Sequence, residues 1–300
     1  MIRTLLLCAA VVVASAAPKA DLSISAFVNG ATLTISTSAR VAGAIESLTW
    51  RGEEFINAHD HGRELQSASS FDGYGECLNP TEAGSAKDGV GPESSSRLVH
   101  SSAGGETLKT TIEMAYWLAP GTPYHRACGS HPDFQQAKNE TVRSTDRLIK
   151  RVKIEKDVIR FDITFVTTAN HQSATFEVLT GYMPPEFSEF LVYDPAQHEV
   201  TPISDGPGEQ TMPVILATKD HEYAMGVFSK GLPQQAHPKN GYGRFRFLQN
   251  PKILGWNTVK WNAVYREAPV PKGKYRYRCY VAVGTLKDVR TTMERLHSMR

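Results

Sequence analysis

The chain has 300 residues, a formal net charge of +2 and 41% hydrophobic residues. This length and composition suffice for one large β domain or two small ones with a sizeable core. The near balance of charge, without a basic run of five or more residues, argues against a nucleic-acid or anionic-membrane partner.

The N-terminus has the three parts of a signal peptide. Arg3 supplies a positive charge, an apolar run covers residues 5–13, and a small-x-small cleavage site ends at Ala16. The apolar run is about half of what spans a bilayer, so it predicts a signal peptide and not an anchor. We expect a signal peptide over residues 1–16, a single domain over 17–300, and a secreted or periplasmic protein without a membrane anchor.

Strand patterns dominate the rest of the chain. The alternating segments Thr145–Ile154 and Val158–Thr168 flank a short polar turn, which predicts a β-hairpin. The other predicted strands are Asp21–Val28, Ala31–Ser36, Ile45–Trp50, Glu106–Leu118, Pro213–Thr218, Tyr223–Ser229, Arg244–Leu248, Val259–Tyr265 and Tyr275–Val283. Many closely spaced strands predict an all-β sandwich.

Two segments depart from the strand pattern. At the C-terminus, Thr285 and Asp288 predict a helix cap, followed by an apolar stripe at helical spacing. The stretch Ser67–Gly105 is rich in Gly, Ser and Pro and is the least regular part of the chain. A long loop in a compact β protein is often functional, and a floppy insertion is the alternative.

The positions of the cysteines indicate whether the protein works in an oxidising compartment. Cys77 and Cys128 lie in Gly/Ser-rich, loop-like stretches, which predicts a disulfide bond between them in an oxidising compartment. The alternative is that both remain free thiols. Cys279 alternates with apolar and aromatic residues, so we expect a buried thiol on a strand.

Three short segments carry a family resemblance. They are Gly43–Trp50 followed by His61-Gly62-Arg63, then Thr168–His171, and then Pro271–Tyr275. In order and spacing they resemble the galactose mutarotase-like, or aldose 1-epimerase-like, β-supersandwich superfamily. The resemblance implies a large antiparallel β-sandwich with a short C-terminal helix, an open sugar-binding cleft, a carbohydrate partner and no cofactor.

The resemblance also implies catalytic roles. His171 would protonate the ring oxygen of a sugar, and Glu267 would remove the anomeric hydroxyl proton. His61 would be a further catalytic residue that holds the sugar together with Arg63. The chain departs from the family pattern at two places: Tyr-Phe-Asn-Leu does not follow His171, and no Glu-x-Gln precedes the last strand, where Glu267 is the nearest carboxylate.

The densest polar stretch starts at His59. If residues 59–63 are extended, His59, His61 and Arg63 share one face, where imidazoles can transfer protons and a guanidinium can grip a sugar. A solvated strand end is the alternative. His-x-His also fits a metal site that His125 and His131 would complete, but no further ligand stands at a telling spacing, so we predict no metal.

The predicted substrate-binding residues have polar or aromatic side chains and lie in or near these segments. They are Arg63, Tyr74, Glu76, Asn79, His125, His131 and Trp256. Aromatic rings match the apolar C–H face of a pyranose, and Trp256, which follows a glycine, is the better stacking candidate. Trp261 lies in the apolar set of its strand and is predicted to be core.

The amino-acid sequence is compatible with several carbohydrate-related functions. An epimerase-like enzyme is the first. A polysaccharide lyase would use Arg63, Asn79, Tyr74, His125 and Arg126. A glycosidase would need two carboxylates across the scissile bond, for which Glu76 with Glu82, or Asp60 with Glu64, are candidates. A non-catalytic sugar-binding domain, favoured by the missing Glu-x-Gln, is the alternative from another class.

Overall fold

The computed structural model describes residues 17–123, 136–248 and 257–299. Nineteen strands, a short 3₁₀ helix over Gly75–Leu78 and one α-helix make up its regular structure. The elements are β1 Leu22–Val28, β2 Ala31–Thr37, β3 Ile45–Trp50, β4 Glu53–Glu54, β5 Leu65–Phe71, β6 Pro80–Thr81, β7 Arg97–Gly104, β8 Thr107–Tyr116, β9 Arg143–Glu155, β10 Val158–Thr167, β11 Ala174–Met183, β12 Glu189–Asp194, β13 Glu199–Pro202, β14 Gly208–Gln210, β15 Val214–Ala217, β16 Ala224–Phe228, β17 Tyr242–Phe247, β18 Thr258–Glu267, β19 Gly273–Gly284 and α1 Leu286–Ser298.

The strands pair antiparallel and join into one continuous sheet that folds into two packed layers. β9, β10, β19 and β16 are neighbours in one layer, and β5, β11, β18 and β17 are neighbours in the other. Aromatic contacts join the layers: the ring centroids of Phe165 and Phe176 are 4.7 Å apart, and those of Tyr265 and Tyr277 are 4.4 Å apart. The predicted all-β sandwich is confirmed.

The predicted hairpin is β9 and β10. Their register pairs Glu155 with Val158, and Lys156 in the turn has a positive φ of 55°. The side chains of Ile159, Phe161, Ile163 and Phe165 are all buried on one face, as a period of two requires. This face forms much of the core.

The predicted C-terminal helix is confirmed as α1. Thr285 and Asp288 form a reciprocal capping box at its start. Val289 and Met293 are buried beside Gly226 of β16, where an added Cβ would lie 2.5 Å from the Met293 methyl group. Within the described ranges, no helix is both long and apolar enough to cross a bilayer.

The irregular stretch Ser67–Gly105 is an ordered, compact segment that contains most of β5 and all of β6 and β7. Asp88 holds it together by accepting hydrogen bonds from the backbone N–H groups of Ser85 and Ser95, at 2.7 and 2.8 Å. The loop brings the 3₁₀ helix and β6 beside β5. It therefore contributes Glu76, Asn79 and Thr81 to the lining of a cavity.

The two described cysteines are buried. Cys279 of β19 is a free thiol and is 0% exposed, as predicted. Cys77 is also 0% exposed and packs with Leu118 and Ala137. Cys128 lies outside the described residues, so the pairing of Cys77 with Cys128 stays a prediction.

Candidate functional site

A register shift in β11 gathers polar side chains on the outer face of the second layer. The pairing with β18 shifts between Glu177 and Leu179, and the pairing with β5 shifts between Glu177 and Thr180. The extra residue turns Glu177 and Thr180 to the same side, where the Thr180 hydroxyl donates a 2.9 Å hydrogen bond to Glu177 Oε2. Such bulges commonly re-aim side chains next to functional sites.

A cavity of about 110 Å³ lies over this bulge, and we call it the β11 cavity. Its lining combines carboxylate, amide, hydroxyl and ammonium groups with two aromatic rings. The lining residues are Gly62, Gln66, Ala68, Glu76, Asn79, Thr81, Trp117, Glu177, Thr180, Tyr182 and Lys260. This mixture of hydrogen-bonding groups and ring faces suits a polyhydroxylated ligand.

Lys260 and Glu177 form an ion pair at the floor of the cavity. Lys260 Nζ is 2.9 Å from Glu177 Oε2, and the lysine residue is 8% exposed. Burial alone would raise the pKa of Glu177, but the Lys260 charge and hydrogen bonds from Lys260, Asn262 and Thr180 hold it below its ordinary value. Burial alone would lower the pKa of Lys260, but the charge of Glu177 raises it. Both groups are therefore ionised at neutral pH.

Three other groups complete the polar face. Burial raises the pKa of Tyr182, so its hydroxyl stays protonated. The Oδ1 atoms of Asn79 and Asn262 are buried and accept no hydrogen bond within the described structure. Because a buried acceptor without a donor is costly, the Oδ1 of Asn79, which lines the cavity, favours a ligand or solvent that brings hydroxyl groups. Asn262 does not line the cavity, and its Oδ1 faces Gly243.

Two of the predicted substrate-binding residues, Glu76 and Asn79, line the cavity. Tyr74 precedes the 3₁₀ helix and packs in the small cluster under it, with Lys138 Nζ 5.8 Å from its ring centroid. Arg63 is 8% exposed, and its Nε lies 3.3 Å from Asp60 Oδ2. Neither Tyr74 nor Arg63 is among the lining residues.

Residues 59–63 are not extended, so the condition under which His59, His61 and Arg63 would share one face is not met. They form a turn, closed by a 3.2 Å hydrogen bond from Arg63 N to Asp60 O, because Asp60 also accepts from Gly62 N and bends the chain. His61 is 1% exposed, and its two ring nitrogens each lie 2.8 Å from a backbone carbonyl oxygen, of Gly89 and of Arg40. In this position His61 ties the loop to the turn between β2 and β3 and presents neither nitrogen to the cavity.

His171 lies at the edge of the core and is oriented by a carboxylate. Its Nδ1 is 2.8 Å from Asp72 Oδ2, and its ring stacks on Phe71 with centroids 4.0 Å apart. Asp72 Oδ1 also accepts from the backbone N–H of Gln172, at 2.7 Å. The side chain of His171 is 13% exposed.

Glu267 ends β18, and its Oε1 accepts a 3.1 Å hydrogen bond from the Tyr277 hydroxyl. Ala174 pairs with Glu267, whereas Thr180, beside the cavity, pairs with Asn262. Five residues of β18 separate the two levels, or about 16–17 Å at ~3.3 Å per residue. The predicted catalytic residues His171, Glu267 and His61 therefore do not meet in the β11 cavity.

The carboxylates considered for a glycosidase are also dispersed. Glu82 is 0% exposed and pairs with Lys150 inside the sandwich. Glu64 is 0% exposed as well, and burial raises its pKa well above the ordinary value. Of the four candidates, Glu76 alone lines the cavity.

The remaining predictions concern three substrate-binding residues, the absence of a metal and one core tryptophan. His125, His131 and Trp256 lie outside the described residues. Among the residues that are described, no group of three or more His, Cys, Asp and Glu side chains could hold a metal ion. Trp261 is 0% exposed and belongs to the core, as predicted.

The amino-acid sequence did not identify Lys260, Glu177 and Thr180 as site residues. One signal was available. Lys260 and Asn262 form the polar set opposite Trp261 in a strand whose residues are nearly all buried. A charged residue on such a strand needs a partner, and Glu177 provides it.

No protein-family model and no curated protein matches the chain. Similar solved structures include a protein of Escherichia coli K12 proposed to be an aldose 1-epimerase (10% identity, TM-score 0.47, 89% of this chain and 100% of that one). An α-mannosidase from Enterococcus faecalis V583 is similar at 12% identity and TM-score 0.49, over 89% of this chain and 30% of that one. A mutant of the heparan sulfate lyase HepC from Pedobacter heparinus is similar at 7% identity and TM-score 0.45, over 89% of this chain and 36% of that one. At such identities and TM-scores, the activity of this chain has to be argued from its own residues.

Proposed function

We propose that this chain is an exported carbohydrate-active protein that binds a neutral sugar in the β11 cavity. The observation that carries the proposal is the lining itself, in which amide, hydroxyl and carboxylate groups stand beside the rings of Trp117 and Tyr182. Sugars need many hydrogen-bond partners and an aromatic face at once. The Oδ1 of Asn79 accepts no hydrogen bond from any residue that the structure describes, which supports a ligand that donates hydroxyl hydrogens.

The charge of the lining favours a neutral sugar over a uronate. Among the described residues, the charged lining residues are Glu76, Glu177 and Lys260, and Lys260 Nζ lies 2.9 Å from Glu177 Oε2. A lyase acting on uronates would need a cation aimed at the substrate carboxylate and a deprotonated base. The positive charge of Lys260 is balanced by Glu177, and the raised pKa of Tyr182 keeps its hydroxyl protonated.

The test is saturation-transfer NMR of residues 17–300 with glucose, galactose, mannose, N-acetylglucosamine and glucuronate. We expect transfer to at least one neutral sugar and none to glucuronate. Asn79→Leu should weaken that binding roughly tenfold, because it removes a polar partner from the cavity. Gln235→Leu, which changes an exposed amide elsewhere, is the matched control.

The same samples separate binding from catalysis. Accelerated anomer exchange would indicate an epimerase, and new reducing-end signals from oligosaccharides would indicate a hydrolase. Binding without turnover would assign a non-catalytic sugar-binding domain. Absence of transfer to every neutral sugar, or equal weakening by Gln235→Leu, would overturn the proposal.

A further inference from the structure

An aromatic surface continues from the β11 cavity across the sheet. Lys260 pairs with Tyr182 of β11 on one side and with Phe245 of β17 on the other. Its Nζ lies 5.1 Å from the Tyr182 ring centroid and 5.0 Å from the Phe245 ring centroid. Tyr182, Lys260 and Phe245 therefore form one cross-strand row that leads out of the cavity.

Phe247 extends this row along β17. Its ring is parallel to that of Phe245, with an interplanar angle of 6° and centroids 6.0 Å apart. Residues two apart in a strand lie on the same face, and both phenylalanines are only partly buried. We call these two rings the Phe245–Phe247 platform.

The charged neighbours of the platform are paired. Arg244 Nε donates to Ser204 O at 2.6 Å, and Arg246 Nη1 lies 3.4 Å from Asp205 Oδ2. Both arginines alternate with the phenylalanines along β17, so they belong to the other face. The platform thus offers apolar ring surface beside a polar cavity.

The size of the cavity indicates how much ligand lies outside it. Its volume of about 110 Å³ is smaller than the roughly 300–1,000 Å³ of pockets that enclose a drug-sized molecule. It can hold no more than about one sugar unit. A neighbouring unit of the same chain would then lie over Lys260 and reach the platform.

We propose that the Phe245–Phe247 platform stacks the sugar unit next to the one in the β11 cavity, so that the ligand is an oligosaccharide or polysaccharide of neutral sugars. The C–H face of a pyranose packs on phenyl rings, while its hydroxyl groups remain available to the cavity and to solvent. This inference rests on the proposed function, because it places a second subsite beside the first.

The experiment is calorimetric titration of residues 17–300 with glucose, mannose and galactose and with their β-1,4-linked oligomers of two to six units. For the sugar that binds, the affinity should rise about tenfold from one unit to three. Phe247→Ala should reduce this ratio to about one, and Phe247→Tyr, which keeps the ring, should preserve it. Phe27→Ala removes an aromatic ring that is 74% exposed on β1 and should leave the ratio unchanged.

The outcomes separate the two proposals. A monosaccharide that binds as tightly as its oligomers, or a ratio unaffected by Phe247→Ala, would overturn the platform and leave the cavity assignment standing. A ratio that falls equally with Phe27→Ala would also overturn the platform. If neither the monosaccharides nor the oligomers bind, the proposed function and the platform fail together.

Discussion

Glu82 and Lys150 form an ion pair between the two layers of the sandwich, where their side chains are 0% and 1% exposed. Glu82 Oε2 also accepts a 2.8 Å hydrogen bond from the backbone N–H of Ser67. Burial raises the pKa of Glu82 and lowers that of Lys150, so each group depends on the other to remain charged. The pair ties the loop after β5 to β9 from inside the core.

Glu82→Gln and Lys150→Met should each lower the free energy of unfolding by about 3–5 kcal/mol, because each leaves an uncompensated charge in the interior. The double variant should recover most of that loss. Urea denaturation measures all three variants. As a control, Arg97→Met breaks an ion pair whose arginine side chain is 61% exposed, and should cost at most about 1 kcal/mol. Strictly additive losses in the double variant would show that the two charges are not coupled.

The Glu177–Lys260 pair should stabilise the chain over a broad pH range. The pKa of Glu177 is lowered on folding, so its contribution is present above its unfolded pKa of about 4.3 and is lost as the pH falls through the folded value. The pKa of Lys260 is raised, so its contribution is present below about 10.4 and is lost as the pH rises through the folded value. Between about pH 5 and pH 10 both contributions remain.

Lys260→Met should therefore destabilise the chain most at neutral to mildly alkaline pH, where it leaves Glu177 charged and partly buried without its partner. The loss should shrink as the pH falls, starting above the ordinary pKa of Glu177, because burial without the Lys260 charge raises that pKa. The side chain of Glu177 is 32% exposed, so solvent screening limits the expected loss to about 1–3 kcal/mol. Urea denaturation at several pH values measures it, and Lys272→Met, on an exposed lysine, is the control. A loss that stays the same from neutral pH down to about pH 4 would contradict an ionised pair.

Gly181 makes room for the indole of Trp261 behind the cavity. An added Cβ would lie 2.4 Å from Trp261 Cζ2, and the tryptophan is 0% exposed and cannot move away. Gly181→Ala should cost about 1–3 kcal/mol through overpacking. Gly104→Ala, also in a strand but with nothing within 4 Å of the new methyl group, is the matched control. Equal stability of the two variants would contradict this packing argument.

Local sequence patterns predicted much of the fold. The candidate site, in contrast, depends on the pairing of strands that are far apart in the sequence. The hairpin of β9 and β10 and the cap at Thr285 depend on residues a few positions apart, which a sequence displays directly. Glu177 and Lys260 are 83 positions apart, and they meet because β11 pairs with β18 through a bulge. Alternation along a strand predicts which face of the sheet each side chain lies on. A bulge moves the residues after it to the opposite face, and the sequence near Glu177 does not indicate a bulge. The turn at Asp60 likewise overrides the alternation assumed for His59, His61 and Arg63.

The pairing of Cys77 with Cys128 can be decided by counting thiols in residues 17–300 produced in an oxidising compartment. Burial raises the pKa of the Cys279 thiol to about 12, so we expect no reactive thiol in the folded chain. In denaturant without reductant, one thiol per chain should react, from Cys279, and three should react after reduction. Three reactive thiols before reduction would exclude the disulfide. If the bond forms, Cys77→Ser should add one thiol in denaturant and lower the free energy of unfolding by about 2–4 kcal/mol, since the bridge restrains the unfolded chain.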